Sequence, residues 1–148
     1  MVETILLVED TQKCAKWQKK AVRNTIPEAE IIHVTTLLEA HKILVNPNIY
    51  VDAVMTDNGY PLVPDGDRYG SKTSDGGAGT LLIKQIRSGY FGEFYQTLPI
   101  SWHTAKISDD KIEKVLSYDI DDFEGLTHCY EKGEGHKPYL EMAEHLIH

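Results

Sequence analysis

Cysteine is scarce in this 148-residue chain, which has only Cys14 and Cys129. Two such residues, far apart, exclude a disulfide scaffold and a paired-cysteine metal knuckle. They read instead as reduced, half-buried core residues of a cytosolic protein. No apolar run approaches the roughly eighteen residues that a membrane span needs. The first residues show no basic region followed by a long apolar segment and a cleavage site, so no secretory signal is expected. A cationic excess is also missing: 15 Lys and Arg stand against 23 Asp and Glu, a formal net charge of −8. A phosphate backbone rewards clustered cations, so direct nucleic-acid binding is not expected. The densest group of cations, Lys13, Lys16, Lys19, Lys20 and Arg23, reads as the solvated face of a helix.

What is present suits a globular protein. A hydrophobic fraction of 41% and a charged fraction of 26% are unlike a disordered tail, and the length fits one domain over residues 1–148. Strand-like and helix-like segments alternate. Ile5 to Val8 reads as a strand, and a helix carrying Cys14, Trp17, Ala21 and Val22 on one face stops near Pro27. Ile31 to Thr35 is the second strand. Thr36 with Glu39 has the spacing of a capping box for a helix through Ala40, Ile43 and Leu44. Val51 to Thr56 is the third strand, and Ala78 to Ser88 a helix with Leu82, Ile83 and Ile86 inward. Leu98 to Thr104 is the fourth strand. Ser108 is placed to cap a helix with Asp109 and Asp110 in its first turn and Ile112, Val115 and Leu116 inward. Leu126 to Glu131 is a weaker fifth strand, and Pro138 suits the first turn of a last helix. Five strands alternating with five helices predict a doubly wound α/β sheet, with right-handed crossovers covering both faces.

Residues 62–77 interrupt that rhythm. Pro64, Asp65-Gly66-Asp67, Gly70 and Asp75-Gly76-Gly77 make a poor core element and a good loop. A loop longer than about twelve residues serves as a lid, as a binding surface or as passive insertion. It lacks the ligand spacing and closing Glu of a calcium loop.

The chemistry is proposed by acids at strand ends. Glu9 and Asp10 follow the first strand and Asp57 follows the third. Parallel strands place these ends on one rim, so three carboxylates converge there. Such a cluster is costly unless it is exposed or holds a cation, and its hard oxygens suit Mg²⁺.

Taken with Val8-Glu9-Asp10, Asp57-Asn58-Gly59-Tyr60-Pro61, Pro99-Ile100-Ser101-Trp102-His103-Thr104-Ala105 and a late lysine, the chain resembles the receiver domain of two-component response regulators. The resemblance covers nearly the whole chain and implies a flavodoxin-like, five-stranded parallel sheet. It also implies phosphoryl transfer from a partner's phosphohistidine to Asp57, assisted by Mg²⁺. Glu9, Asp10, Asp57 and the main-chain carbonyl of Gly59 correspond to the metal ligands. Thr104 corresponds to the hydroxyl that meets a phosphoryl oxygen, with small Ala105 leaving room beside it. His103 is the neighbour that strand alternation points away from the Thr104 side chain.

The family's lysine has two candidates here. Lys132 has the spacing and strand register, but Gly133 follows it where the family has proline. Lys137 sits in His136-Lys137-Pro138-Tyr139, five residues later, where a cis peptide before Pro138 would turn the lysine inward. The Lys-Pro wording places Lys137 first. The family's coupling aromatic, three residues before its lysine, falls on Cys129 or Glu134, and Tyr130 is the nearest aromatic.

The implied partners are a histidine kinase or histidine phosphotransfer protein upstream and an unknown protein downstream, with no membrane and no direct nucleic-acid contact, in the cytoplasm. The phosphoacceptor modifies itself rather than turning over a separate substrate. Two alternatives stand beside it. One is a divergent, non-switching receiver that only docks to other proteins. The other is a metal-dependent phosphohydrolase, which commonly needs an acid where Gly59 stands. A flavodoxin-like cofactor binder would want a Gly-rich phosphate loop after the first strand, and none is there.

Overall fold

A computed structural model describes residues 2–66, 77–104, 108–119, 126–131 and 137–147. Its strands are β1 (Thr4–Val8), β2 (Glu30–Val34), β3 (Ala53–Asp57), β4 (Ile100–Thr104) and β5 (Thr127–Glu131). The helices between and after them are α1 (Gln12–Thr25), α2 (Leu37–Leu44), α3 (Ala78–Arg87), α4 (Asp109–Leu116) and α5 (Lys137–His145), with a 3-10 turn at Glu93–Thr97. All strand pairs are parallel, in the order β2-β1-β3-β4-β5. This is the expected doubly wound sheet. The order reverses between β1 and β3, and the crevice outside the carboxyl ends of those two strands is where such sheets bind ligands.

Strand alternation sorts the core into two layers. Leu6, Val8, Val54, Ile100 and Trp102 pack with Leu37, Ala40, Leu82, Ile83, Ile86 and Val115 from α2, α3 and α4. Ile5, Leu7, Ala53 and Met55 pack with Ala15, Ala21 and Val22 of α1 and Tyr139, Met142, Ala143 and Leu146 of α5. The cationic face of α1 lies on the outside, where Lys13, Lys16, Lys20 and Arg23 are exposed.

Some boundaries differ from the sequence reading for local reasons. β3 starts at Ala53 because Asp52 turns its carboxylate to the Glu3 and Thr4 amides, at 3.0 and 2.8 Å. β4 starts at Ile100, since Pro99 has no N–H to contribute to a ladder. The Thr36 side chain accepts the Glu39 amide as expected, at 3.2 Å, while the Glu39 carboxylate accepts the hydroxyls of Thr35 and Thr36. Burial alone would raise the proton affinity of Glu39, but those hydroxyl bonds outweigh it and leave the acid below its ordinary range. Ser108 occupies the N-cap position of α4, but its side chain makes no capping bond. Stabilisation of that end falls to Asp109 and Asp110 against the helix dipole.

Candidate functional site

Each acid is carried to the rim by its strand. Glu9 continues β1: its amide donates to the Val34 carbonyl of β2 at 3.1 Å. Its own carbonyl accepts the His33 ring N–H at 2.8 Å. Two contacts from β2 thus fix the main chain where β1 becomes the loop to α1. Asp57 is the last residue of β3 and pairs with His103 of β4. The carboxylates of Glu9, Asp10 and Asp57 each place an oxygen within 4.8 Å of the other two. Glu9 and Asp57 are fully buried. Three like charges at that spacing repel strongly in a partly dehydrated site, and a small divalent cation with a taste for hard oxygen fits the set.

The neighbouring groups report the same negative field. The Tyr60 phenol is raised above its ordinary range by burial first and, further, by the charges of Asp57 and Glu9. Burial likewise raises the Tyr139 phenol, helped by its hydrogen bond with the Cys14 side chain and by the charges of Cys14, Glu9 and Asp57. Two phenols therefore flank the acids as neutral groups near neutral pH.

Thr104 ends β4 and is buried. His103 is also buried, edge-on to the Tyr139 ring of α5 with centroids 5.2 Å apart. Gly59 lies in the loop directly after Asp57-Asn58. Lys132 lies outside the described residues, as do Ala105 and Glu134. Lys137 begins α5. No cis peptide bond occurs among the described residues. The Lys137–Pro138 bond is therefore trans, correcting the expected cis turn. Cys129 and Tyr130 sit on β5 as half-buried residues. Burial, then the charge of Glu131, pushes the Cys129 thiol up to about 11, which makes it an inert core group.

Three features escaped the sequence reading. Thr56 and Tyr60 hydrogen-bond to each other at 3.1 Å beneath the rim. Gly79, in the first turn of α3, seats directly on the β3 terminus. A Cβ there would lie 2.1 Å from the Asp57 carbonyl oxygen, and its amide donates to the Asn58 carbonyl at 2.9 Å. The Gly77-Ala78-Gly79 spelling was the available signal for that close approach. Finally, the carbonyls of Pro61 and Leu62 accept the Leu37 and Leu38 amides at 3.1 and 2.9 Å, so the start of the 62–77 segment satisfies the first turn of α2.

No family model and no curated protein matches the chain. Solved structures do. The phosphorylated cyanobacterial phytochrome response regulator RcpA is 18% identical with a TM-score of 0.66, over 97% of this chain and 90% of that one. The Mn²⁺-bound form of response regulator Rcp1 is 16% identical with a TM-score of 0.66, over 96% and 89%. The chemotaxis response regulator CheY4 of Vibrio cholerae is 15% identical with a TM-score of 0.65, over 99% of both chains. Over nearly its whole length, this chain has the fold of the response-regulator receiver domains.

Proposed function

We propose that the chain is a phosphoacceptor receiver in two-component signalling, taking a phosphoryl group from a phosphohistidine donor onto Asp57. The observation that carries this reading is the convergence of the Glu9, Asp10 and Asp57 carboxylates at the β1–β3 switch point. In the transfer, an Asp57 carboxylate oxygen forms the new P–O bond while the P–N bond to the donor imidazole breaks and the imidazole leaves with the bonding pair. Positioning and charge neutralisation dominate such a step, and an ionised Asp needs no general base.

Glu9, Asp10, Asp57 and the Gly59 carbonyl are the residues that would hold Mg²⁺, which when bound supplies positive charge to the phosphoryl oxygens. Thr104 donates its hydroxyl to one of those oxygens. A lysine, Lys137 or Lys132, supplies a further cation from the β5–α5 connection. The output is a shift between two conformations read by a downstream protein, and the donor is a histidine kinase or phosphotransfer protein. The protein modifies itself and works in the cytoplasm as one domain, with residues 62–77 as an insertion. No helix among the described residues is long and apolar enough to cross a membrane.

Beryllofluoride, a phosphoryl mimic, tests this directly. Mg²⁺-dependent binding with amide shifts around Asp57 and Thr104 is expected, together with loss of phosphotransfer by intact mass in Asp57→Asn. Absence of binding at millimolar reagent would leave the docking module as the better account. Lys137→Ala is expected to weaken binding more than Lys132→Ala; the reverse order would assign the pocket lysine to the strand register.

A further inference from the structure

The loop from Asp57 to Tyr60 carries the nucleophile and the proposed carbonyl ligand, and it passes through Gly59, a residue with no side chain to anchor it. The rim holds one geometry only if the main chain on either side of that glycine is anchored. The Tyr60 side chain, fully buried beneath the rim, is placed to anchor it.

The hydrogen-bond directions are fixed by counting protons. The Thr56 hydroxyl donates to the main-chain carbonyl of Asp57 at 2.8 Å, and a carbonyl only accepts. A hydroxyl has one proton, so towards Tyr60 the Thr56 oxygen must accept, and the phenol donates across 3.1 Å. The relay therefore runs from the Tyr60 hydroxyl to the Thr56 hydroxyl to the Asp57 carbonyl. On its far side the same carbonyl meets Gly79, and the next carbonyl, that of Asn58, accepts the Gly79 amide. After Tyr60, the Pro61 and Leu62 carbonyls are tied to α2. Gly59 thus lies between two hydrogen-bonded stretches, and Tyr60 is the residue immediately beyond it.

We infer that Tyr60 is a positioning residue: acting through Thr56, it holds the Asp57 main chain and so sets where the Gly59 carbonyl points. The role given to that carbonyl rests on the phosphoacceptor reading, whereas the clasp itself stands on the geometry alone.

The test has two arms. In metal-free protein, amide hydrogen exchange is followed at Gly79, whose N–H bonds into the clasped loop, against amides of β1 and β4 as controls. Tyr60→Phe, which keeps the ring and removes the donor, should speed exchange at Gly79 about three- to tenfold, the range for losing one neutral hydrogen bond, and leave the controls unchanged. In the second arm, Mg²⁺ titration followed by amide shifts should show affinity weakened by a similar factor. Thr56→Val should reproduce both effects and Thr56→Ser should restore them. The double variant Tyr60→Phe/Thr56→Val should be no worse than Thr56→Val, because the phenol acts through the hydroxyl. Unchanged exchange and affinity in Tyr60→Phe would overturn the inference, as would losses that simply add. If Tyr60→Phe unsettles the whole fold, Thr56→Val against Thr56→Ser decides by the same readouts. If the wild type fails to bind Mg²⁺, the phosphoacceptor reading falls, while exchange at Gly79 still decides the clasp.

Discussion

Two buried polar sites on opposite faces of this sheet are built in opposite ways. Around Arg87, on the α2–α4 face, polar side chains close on one another. The Arg87 guanidinium, 3% exposed, bonds Asp119 at 2.8 Å, Thr127 at 2.8 Å and the Gln96 carbonyl at 3.0 Å. The Thr127 hydroxyl and amide in turn donate to Asp119 at 2.6 and 2.9 Å. Burial pulls the Arg87 pKa down, and Asp119 opposes that pull. On the α1–α5 face, alternation places Glu9 and Asp57 in line with Ile5, Leu7, Ala53 and Met55. There the buried Gln18 amide has no hydrogen-bond partner among the described residues. A closed network fixes a structure, whereas clustered like charges and an unmatched amide mark a face that gives up stability for function.

The largest expected effect comes from opening the closed network. Arg87→Met removes the cation and leaves Asp119 buried without it, which typically costs about 3 to 5 kcal/mol. For a chain of this size that corresponds to roughly 10 °C in melting temperature. Thermal unfolding checks it. A loss below about 1 kcal/mol, the level of a surface pair, would mean that the two faces differ less than their geometry suggests.

The opposite sign is expected across the sheet. Asp57→Asn removes one of three converging charges, so the metal-free protein should gain about 1 to 2 kcal/mol of stability. It should also lose its stabilisation by Mg²⁺, because a cation that binds only the folded form stabilises by mass action. Denaturant melts with and without Mg²⁺ measure both. A destabilised variant would show that the Asp57 carboxylate is balanced within the folded protein rather than repelled.

A smaller gain is expected at Gln18. Replacing an unmatched buried amide by an apolar side chain of similar length, Gln18→Met, should stabilise the fold by about 1 kcal/mol. If the variant is instead less stable, the amide has a partner in solution, and the α1–α5 face is better satisfied than it looks.

This contrast also explains what could be read before any coordinates. Glu9, Asp10 and Asp57 were legible because an acid at the end of an apolar strand has one rim to occupy in a parallel sheet. The five strands were legible because their apolar runs are short and separated by helix caps, Thr36 among them. Thr56 and Tyr60 were not, since one reads as the end of a strand and the other as an apolar residue after a turn. Their meeting depends on how Asn58 and Gly59 bend the chain back. Gln18 was not legible either, because the pattern of α1 alone does not reveal that this position is fully buried. Arg87 and Asp119 are 32 residues apart, and no local pattern joins them. The lysine stayed ambiguous because register and the Lys-Pro wording point to different residues, and Lys132 falls outside the described residues.

The last and smallest effect belongs to the edge where the two faces meet. His145 of α5 stacks on His128 of β5, with centroids 3.8 Å apart and planes 13° from parallel. Its Nε2–H donates to the Leu126 carbonyl at 3.1 Å. Burial first, then the neighbouring His128 and Arg87, hold its pKa below the ordinary 6.5, with the Leu126 bond and Asp119 opposing. The unfolded chain therefore binds this proton more readily than the folded one. The contribution of His145 is complete above 6.5 and is lost as pH falls through 6.5 towards the lower folded value. His145→Gln keeps a donor for the Leu126 carbonyl but cannot titrate, so its melting temperature should fall less between about pH 7.5 and pH 5.5 than that of the wild type. Parallel pH profiles for the two proteins would assign the acid sensitivity elsewhere.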